Sequence, residues 1–105
     1  MPSTKNKKLG TCYESSLRFI MESAGLHLEG FFTLVHGTVY SPSLKKRIGH
    51  AWVEAGDVVI DPAQSLSWRK EKYYRVGKVK ICNRYSALQA MEMAVRFEHF
   101  GPWTN

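Results

Sequence analysis

Cysteine is scarce in this chain, which has only Cys12 and Cys82 among its 105 residues. With two thiols and a reducing cytosolic poise, a disulfide is the weaker reading, and the two cysteines are expected to have separate jobs. Long apolar runs are also missing, and nothing in the sequence is long enough to cross a bilayer. The N-terminus MPSTKNKKLG has lysines but no apolar stretch behind them. That pattern argues against a secretory signal and for a cytoplasmic protein. Acidic residues are outnumbered, nine against fifteen Lys and Arg, giving a net charge of +6. Such a surface could draw in an acidic peptide or a nucleic acid, yet the usual companions of nucleic-acid binding are absent. There is no metal-ligand Cys/His spacing, no RNA-binding aromatic signature and no helix-turn-helix pattern. The basic clusters Lys5 to Lys8, Lys45 to Arg47 and Arg69 to Lys80 therefore read as solvated loops.

The composition is 44% hydrophobic and 12% aromatic, and the length suits one domain with one core. Residues 1 to 10 read as a flexible basic arm and residues 11 to 105 as a single domain. Thr11 is placed to cap a helix whose apolar positions Leu17, Phe19, Ile20 and Ala24 have helical spacing, with Gly25 ending it. The run FFTLVHGTVY, from Phe31 to Tyr40, is β-branched and aromatic and predicts a strand. Ile48 to Glu54, a turn at Ala55-Gly56-Asp57, and Val58 to Asp61 predict a hairpin that Pro62 stops. Residues 63 to 71 read as polar and irregular or as a helical turn, and Lys72 to Cys82 as an alternating strand with a bulge at Gly77. After Tyr85-Ser86, a helical stripe of Leu88, Met91, Val95 and Phe97 runs to Gly101-Pro102.

This order of elements gives three residues a common destination. Cys12 falls in the first helical turn, where unpaired amides and the positive end of the helix dipole favour a thiolate. His50, Trp52 and Glu54 share one face of their strand, and a tight turn near Gly56 returns Asp61 roughly opposite His50. A thiol, an imidazole and a carboxylate in that arrangement supply a nucleophile, a proton carrier and an orienting group. The amide of Cys12 is a candidate oxyanion donor, with Asn6, Thr11 or Tyr13 as possible additions.

The upstream CYESSLRFI and the run HAWVEAGDVVIDP resemble the transglutaminase-like branch of the papain-like cysteine enzymes, and are similar to the leader peptidases of lasso-peptide biosynthesis. The likeness covers about residues 10 to 66. It implies an α+β fold in which an N-terminal helix carrying the nucleophile packs on an antiparallel sheet, with a C-terminal helix completing the core. It further implies Cys12 as nucleophile, His50 as general base and acid, and Asp61 as orienting group. Amide-bond hydrolysis or acyl transfer on a peptide or protein, with no metal or organic cofactor, is the activity that goes with it. The chain has only eleven residues before Cys12, so the upstream segment that often brings an oxyanion glutamine is nearly absent.

Each residue also has a plainer explanation. Cys12 alone could be a small core residue, His50 a histidine bonded to backbone, and Asp61 before Pro62 a turn former. Trp52 is expected in the core or a groove wall, Glu54 in solvent, and Cys82 as a structural thiol. His36 is expected as a satisfied packing residue, and His27 and His99 at surfaces near helix ends. Met91, Met93, Phe97 and Phe100 suit a core stripe, or else a groove for a partner protein that completes the substrate site. Against the enzyme stand two other classes: a peptide- or protein-binding module that keeps the fold without catalysis, and, more weakly, a nucleic-acid-associated protein.

Overall fold

Helix α1, Thr11–Ala24, forms because its apolar and small residues recur on one face. Tyr13, Leu17 and Ile20 are buried along one line, with Cys12 and Ser16 buried beside them. Glu14 and Arg18, one turn apart on the outer side, pair at 2.8 Å in solvent. The computed structural model describes residues 11–24 and 31–103. The basic arm of residues 1 to 10, Asn6, Gly25, His27 and the thiol of Cys82 lie outside the described residues.

Five strands follow: β1 Thr33–Ser41, β2 Lys46–Ala55, β3 Val58–Asp61, β4 Leu66–Arg69 and β5 Lys80–Ser86. They form one antiparallel sheet in the order β4-β3-β2-β1-β5. Two further helices, α2 Lys70–Gly77 and α3 Ala87–Phe97, complete an α+β fold. Among the described residues no helix is long and apolar enough to cross a membrane.

Alternation along the strands assigns the two faces. Leu34 and Val53 pack with Leu17 and Ile20 of α1 and with Ala87 and Ala90 of α3. Val35, Trp52 and Val59 face the other way and pack with Tyr73 of α2. The stretch from Ala51 to Glu54 is therefore buried on both sides. Leu17 and Ile20 are each only 1% exposed. Truncation of either to alanine is expected to cost about 2–5 kcal/mol.

Three expectations need correction. The polar region after Pro62 contains β4, whose Leu66 and Trp68 alternate inward against exposed Ser67 and Arg69. The strand expected over Lys72 to Cys82 is instead the end of α2 followed by β5. Its alternation is short enough to fit either period, and tertiary contacts decide: the hydroxyls of Tyr73 and Tyr74 reach the buried carboxylates of Asp61 and Glu54 only when the segment is helical. The inward line of α3 is also shifted by one residue from the expected stripe. Ala87 and Ala90 are buried while Leu88 and Val95 are 52% and 78% exposed. Small residues let α3 approach the sheet closely, and Met91, Met93, Ala94 and Phe97 then pack on the same core. Phe100, expected in that stripe, is 40% exposed. The start of α3 is fixed by Ser86 and Gln89, which exchange side-chain and backbone bonds in a capping box.

Candidate active site

The β2–β3 ladder runs from Ala55↔Val58 only to Val53↔Ile60. Continued by one pair, this register sets Asp61 across from Trp52, two residues along the strand from the expected position opposite His50. His50 and Asp61 are still joined, because they are diagonal neighbours on one face and both side chains are long enough to close the gap. His50 Nε2 lies 2.8 Å from Asp61 Oδ2. Where β3 ends, the N-terminus of α1 meets the sheet, and Cys12 and Tyr13 pack on Ala51 with Ala63 alongside. The Cys12 thiol lies near enough to the His50 ring to help raise its pKa. With Nε2 taken by Asp61, Nδ1 is the ring nitrogen left for the sulfur. The structure thus brings Cys12, His50 and Asp61 from three elements to one point.

Asp61 is completely buried and held from several sides. Besides His50, its Oδ2 accepts from the Tyr73 hydroxyl and from the Gln64 side-chain amide, both at 2.6 Å, and its Oδ1 from the Gln64 backbone N–H at 3.3 Å. Burial alone would raise the Asp61 pKa, but the bond and charge of His50 and the bonds from Tyr73 and Gln64 hold it below the usual carboxylate range. The reverse balance acts on His50. Burial works to lower it, and the hydrogen bonds and negative charge of Asp61 and Cys12 overcome this and raise it to about 9. Tyr73, buried against the same carboxylate, is pushed far above the ordinary tyrosine value by desolvation and by the charge of Asp61.

Tyr13 flanks the cluster on the α1 side. A methyl group at Gly49 would meet its hydroxyl at 2.6 Å, so only glycine at that position lets the phenol lie against the strand next to His50. Burial, with the charge of Cys12, raises Tyr13 to about 12. Cys12 itself is 6% exposed, at the inner end of this arrangement.

Trp52 is fully buried, as expected, with its ring 6.0 Å from that of His50. Glu54, expected in solvent, is buried instead. It accepts from Trp52 Nε1 at 3.1 Å and from the Tyr74 hydroxyl, with Lys70 Nζ and Arg84 Nε each at 3.5 Å. Burial would raise its pKa, and these donors and cations lower it. Glu54 thereby anchors the indole that lies against His50, a role that β-strand alternation alone could not reveal.

His36 also departs from expectation. It is buried, and neither ring nitrogen has a hydrogen-bond partner. Tyr13, Tyr85 and Trp103 surround it, with ring centroids 4.9 to 5.1 Å away. Desolvation lowers it to about 4. His99 is exposed just past the end of α3, as expected.

The sequence reading missed Tyr73 and Gln64. Gln64 had a local signal, since Asp followed by Pro commonly opens a turn whose third residue bonds back to the carboxylate. Tyr73 had none, because its contact depends on which face of the sheet α2 covers. Among the described residues no group of three or more His, Cys, Asp or Glu side chains is placed to hold a metal ion. No family model, curated protein or solved structure matches this chain.

Proposed function

We propose that the protein is a cysteine-dependent amide-bond hydrolase or acyl transferase acting on a peptide or protein. The carrying observation is a single imidazole 2.8 Å from a buried carboxylate and close enough to the Cys12 thiol for that group to raise its pKa. With the proton already on the His50 ring, Cys12 reacts as the thiolate of an ion pair with the imidazolium and attacks the substrate carbonyl carbon to give a tetrahedral oxyanion. Collapse breaks the C–N bond, His50 gives its proton to the leaving amine, and a thioester remains at Cys12. Water or a second amine, deprotonated by His50, then attacks the thioester and releases the thiol. Asp61 keeps the ring oriented and stabilises the imidazolium throughout. The N–H of Cys12, at the start of α1, and the Tyr13 hydroxyl are the candidate donors for the oxyanion. This reading agrees with the resemblance to transglutaminase-like enzymes.

A peptide-binding module without catalysis is the second reading, favoured by the 6% exposure of Cys12. Alkylation separates the two. Iodoacetamide at neutral pH, followed by peptide mass spectrometry, is expected to modify Cys12 much faster than Cys82, and His50→Ala is expected to remove that advantage. Cys12→Ala and His50→Ala should each abolish turnover of amide substrates while the folded far-UV signal persists. Equal labelling of the two thiols in both proteins would exclude an activated nucleophile.

A further inference from the structure

A cavity of about 360 Å³ opens on the α2 side of the sheet, and His50 forms part of its wall. His50, Gln64 and Tyr73, all bonded to Asp61, make its polar end. Val39, Ile48, Leu66, Trp68 and Val76 make the remainder largely apolar. A cavity of this size and lining suits one large apolar group.

Lysines stand beside the cavity. No acidic residue occurs between positions 38 and 53 or between 72 and 91. Lys46 shares its strand face with Ile48 and His50, Lys78 follows Gly77 of the cavity wall, and Lys78 Nζ lies 5.2 Å from the Tyr40 ring centre. Lysines beside an apolar hole complement a chain that carries negative charge next to a bulky apolar side chain.

We propose that this cavity is the specificity pocket of the Cys12 site, and that it takes a large aromatic or branched aliphatic side chain of an acidic peptide. The assignment rests on the cysteine-enzyme reading for its link to catalysis, whereas occupancy of the pocket can be measured without turnover. The substrate's apolar side chain enters between Val39, Leu66 and Val76, acidic neighbours pair with Lys46 and Lys78, and the adjoining backbone is delivered to His50 and the thiol.

The test uses Cys12→Ala protein and fluorescence anisotropy with two fluorescein-labelled peptides, glutamate-rich and identical except for one central phenylalanine or alanine. The phenylalanine peptide is expected to bind at least about tenfold more tightly. Val76→Trp, at a position already 55% exposed and so tolerated by the fold, is expected to fill the mouth and erase that preference. Lys46→Glu with Lys78→Glu should weaken binding about threefold or more at low salt, with the difference fading as salt is added. Equal affinity for the two peptides, or a phenylalanine preference untouched by Val76→Trp, overturns the pocket. So does tighter binding of a labelled oligothymidine of equal charge that is indifferent to Val76→Trp. Side-chain-dependent binding with no cleavage or transfer by the unaltered protein supports the pocket and removes the catalytic reading. Turnover that ignores the central side chain does the opposite.

Discussion

His36 and His50 stand on adjacent strands, each paired across β1 and β2 with a residue next to the other, yet their rings meet opposite fates. Both are withdrawn from water, His36 at 4% residue exposure and His50 with 12% of its side chain exposed. His36 points into a ring of aromatic side chains that offers no hydrogen bond and is lowered to about 4. His50 meets a carboxylate and a thiol and is raised to about 9. Burial pushes both in the same direction, so the difference comes from partners. One ring is a neutral packing element at neutral pH, and the other carries a proton that it can pass on.

The heaviest blow to this contrast is Asp61→Asn. It leaves the shape of the cluster but removes the charge that overcomes desolvation of the imidazolium. Titration of the His50 ring signals by NMR is expected to show its pKa falling from about 9 to below the ordinary histidine value, toward that of His36. Loss of one partner from a buried pair should also cost roughly 3–5 kcal/mol in denaturant unfolding. If the proposed chemistry holds, turnover should fall by about 10⁴-fold, since the ring loses its orienting anion. A His50 that still titrates near 9 in this variant would show that Asp61 is not its main partner.

The two rings also bend the stability curve from opposite ends. His36 has a folded-state pKa below its unfolded value, so the unfolded chain binds the extra proton and stability falls as pH drops from about 6.5 toward about 4. The loss across that window is on the order of 3 kcal/mol. His50 has a folded-state pKa above its unfolded value. Its contribution is complete below about 6.5 and disappears as pH rises through about 9. His36→Leu is therefore expected to flatten the acid limb of unfolding free energy against pH while leaving the alkaline limb in place. The slope is the informative readout, because lost aromatic contacts around position 36 change the absolute stability as well.

How much of this was legible in the sequence follows from which interactions are local. The hairpin carrying His50 and Asp61 could be read from alternation and a turn, and their contact tolerated an error of two residues in register because an even shift keeps both on one face, where diagonal neighbours still meet. Cys12 at the start of α1 was legible from helical spacing. The polar partners were not. Glu54 looks like any strand carboxylate until α2 brings Tyr74 and Lys70 over it, and His36 looks like any core histidine until three aromatic rings close around it. The segment from Lys70 to Gly77 is the common cause of the larger errors, since its choice of helix over strand is made by the buried carboxylates and not by its own period.

Tyr73→Phe tests that choice with a smaller perturbation. It removes one hydroxyl and leaves the ring packed against Trp52 and Trp68. A hydrogen bond to a buried charged group is at stake, so about 1.5–3 kcal/mol of stability should be lost. The Asp61 carboxylate, short of one donor, should titrate higher, whereas His50 should keep its elevated value because the negative charge beside it remains. A collapse of the His50 pKa in Tyr73→Phe would mean that the phenol, and not the ion pair, sustains the imidazolium.

Gln64→Ala gives the finest discrimination. The side-chain amide of Gln64 donates to the same oxygen at 2.6 Å, but Gln64 is exposed, so water can replace it in the variant. The backbone N–H of residue 64 continues to serve Oδ1. Stability should change by under about 1 kcal/mol and the His50 titration should hardly move. Set beside Tyr73→Phe, this separates a buried donor on α2 from an exposed one after β3. Equal losses in the two variants would mean that access to water, which the contrast between His36 and His50 leaves secondary to partner chemistry, matters as little for the donors as it does for the imidazoles.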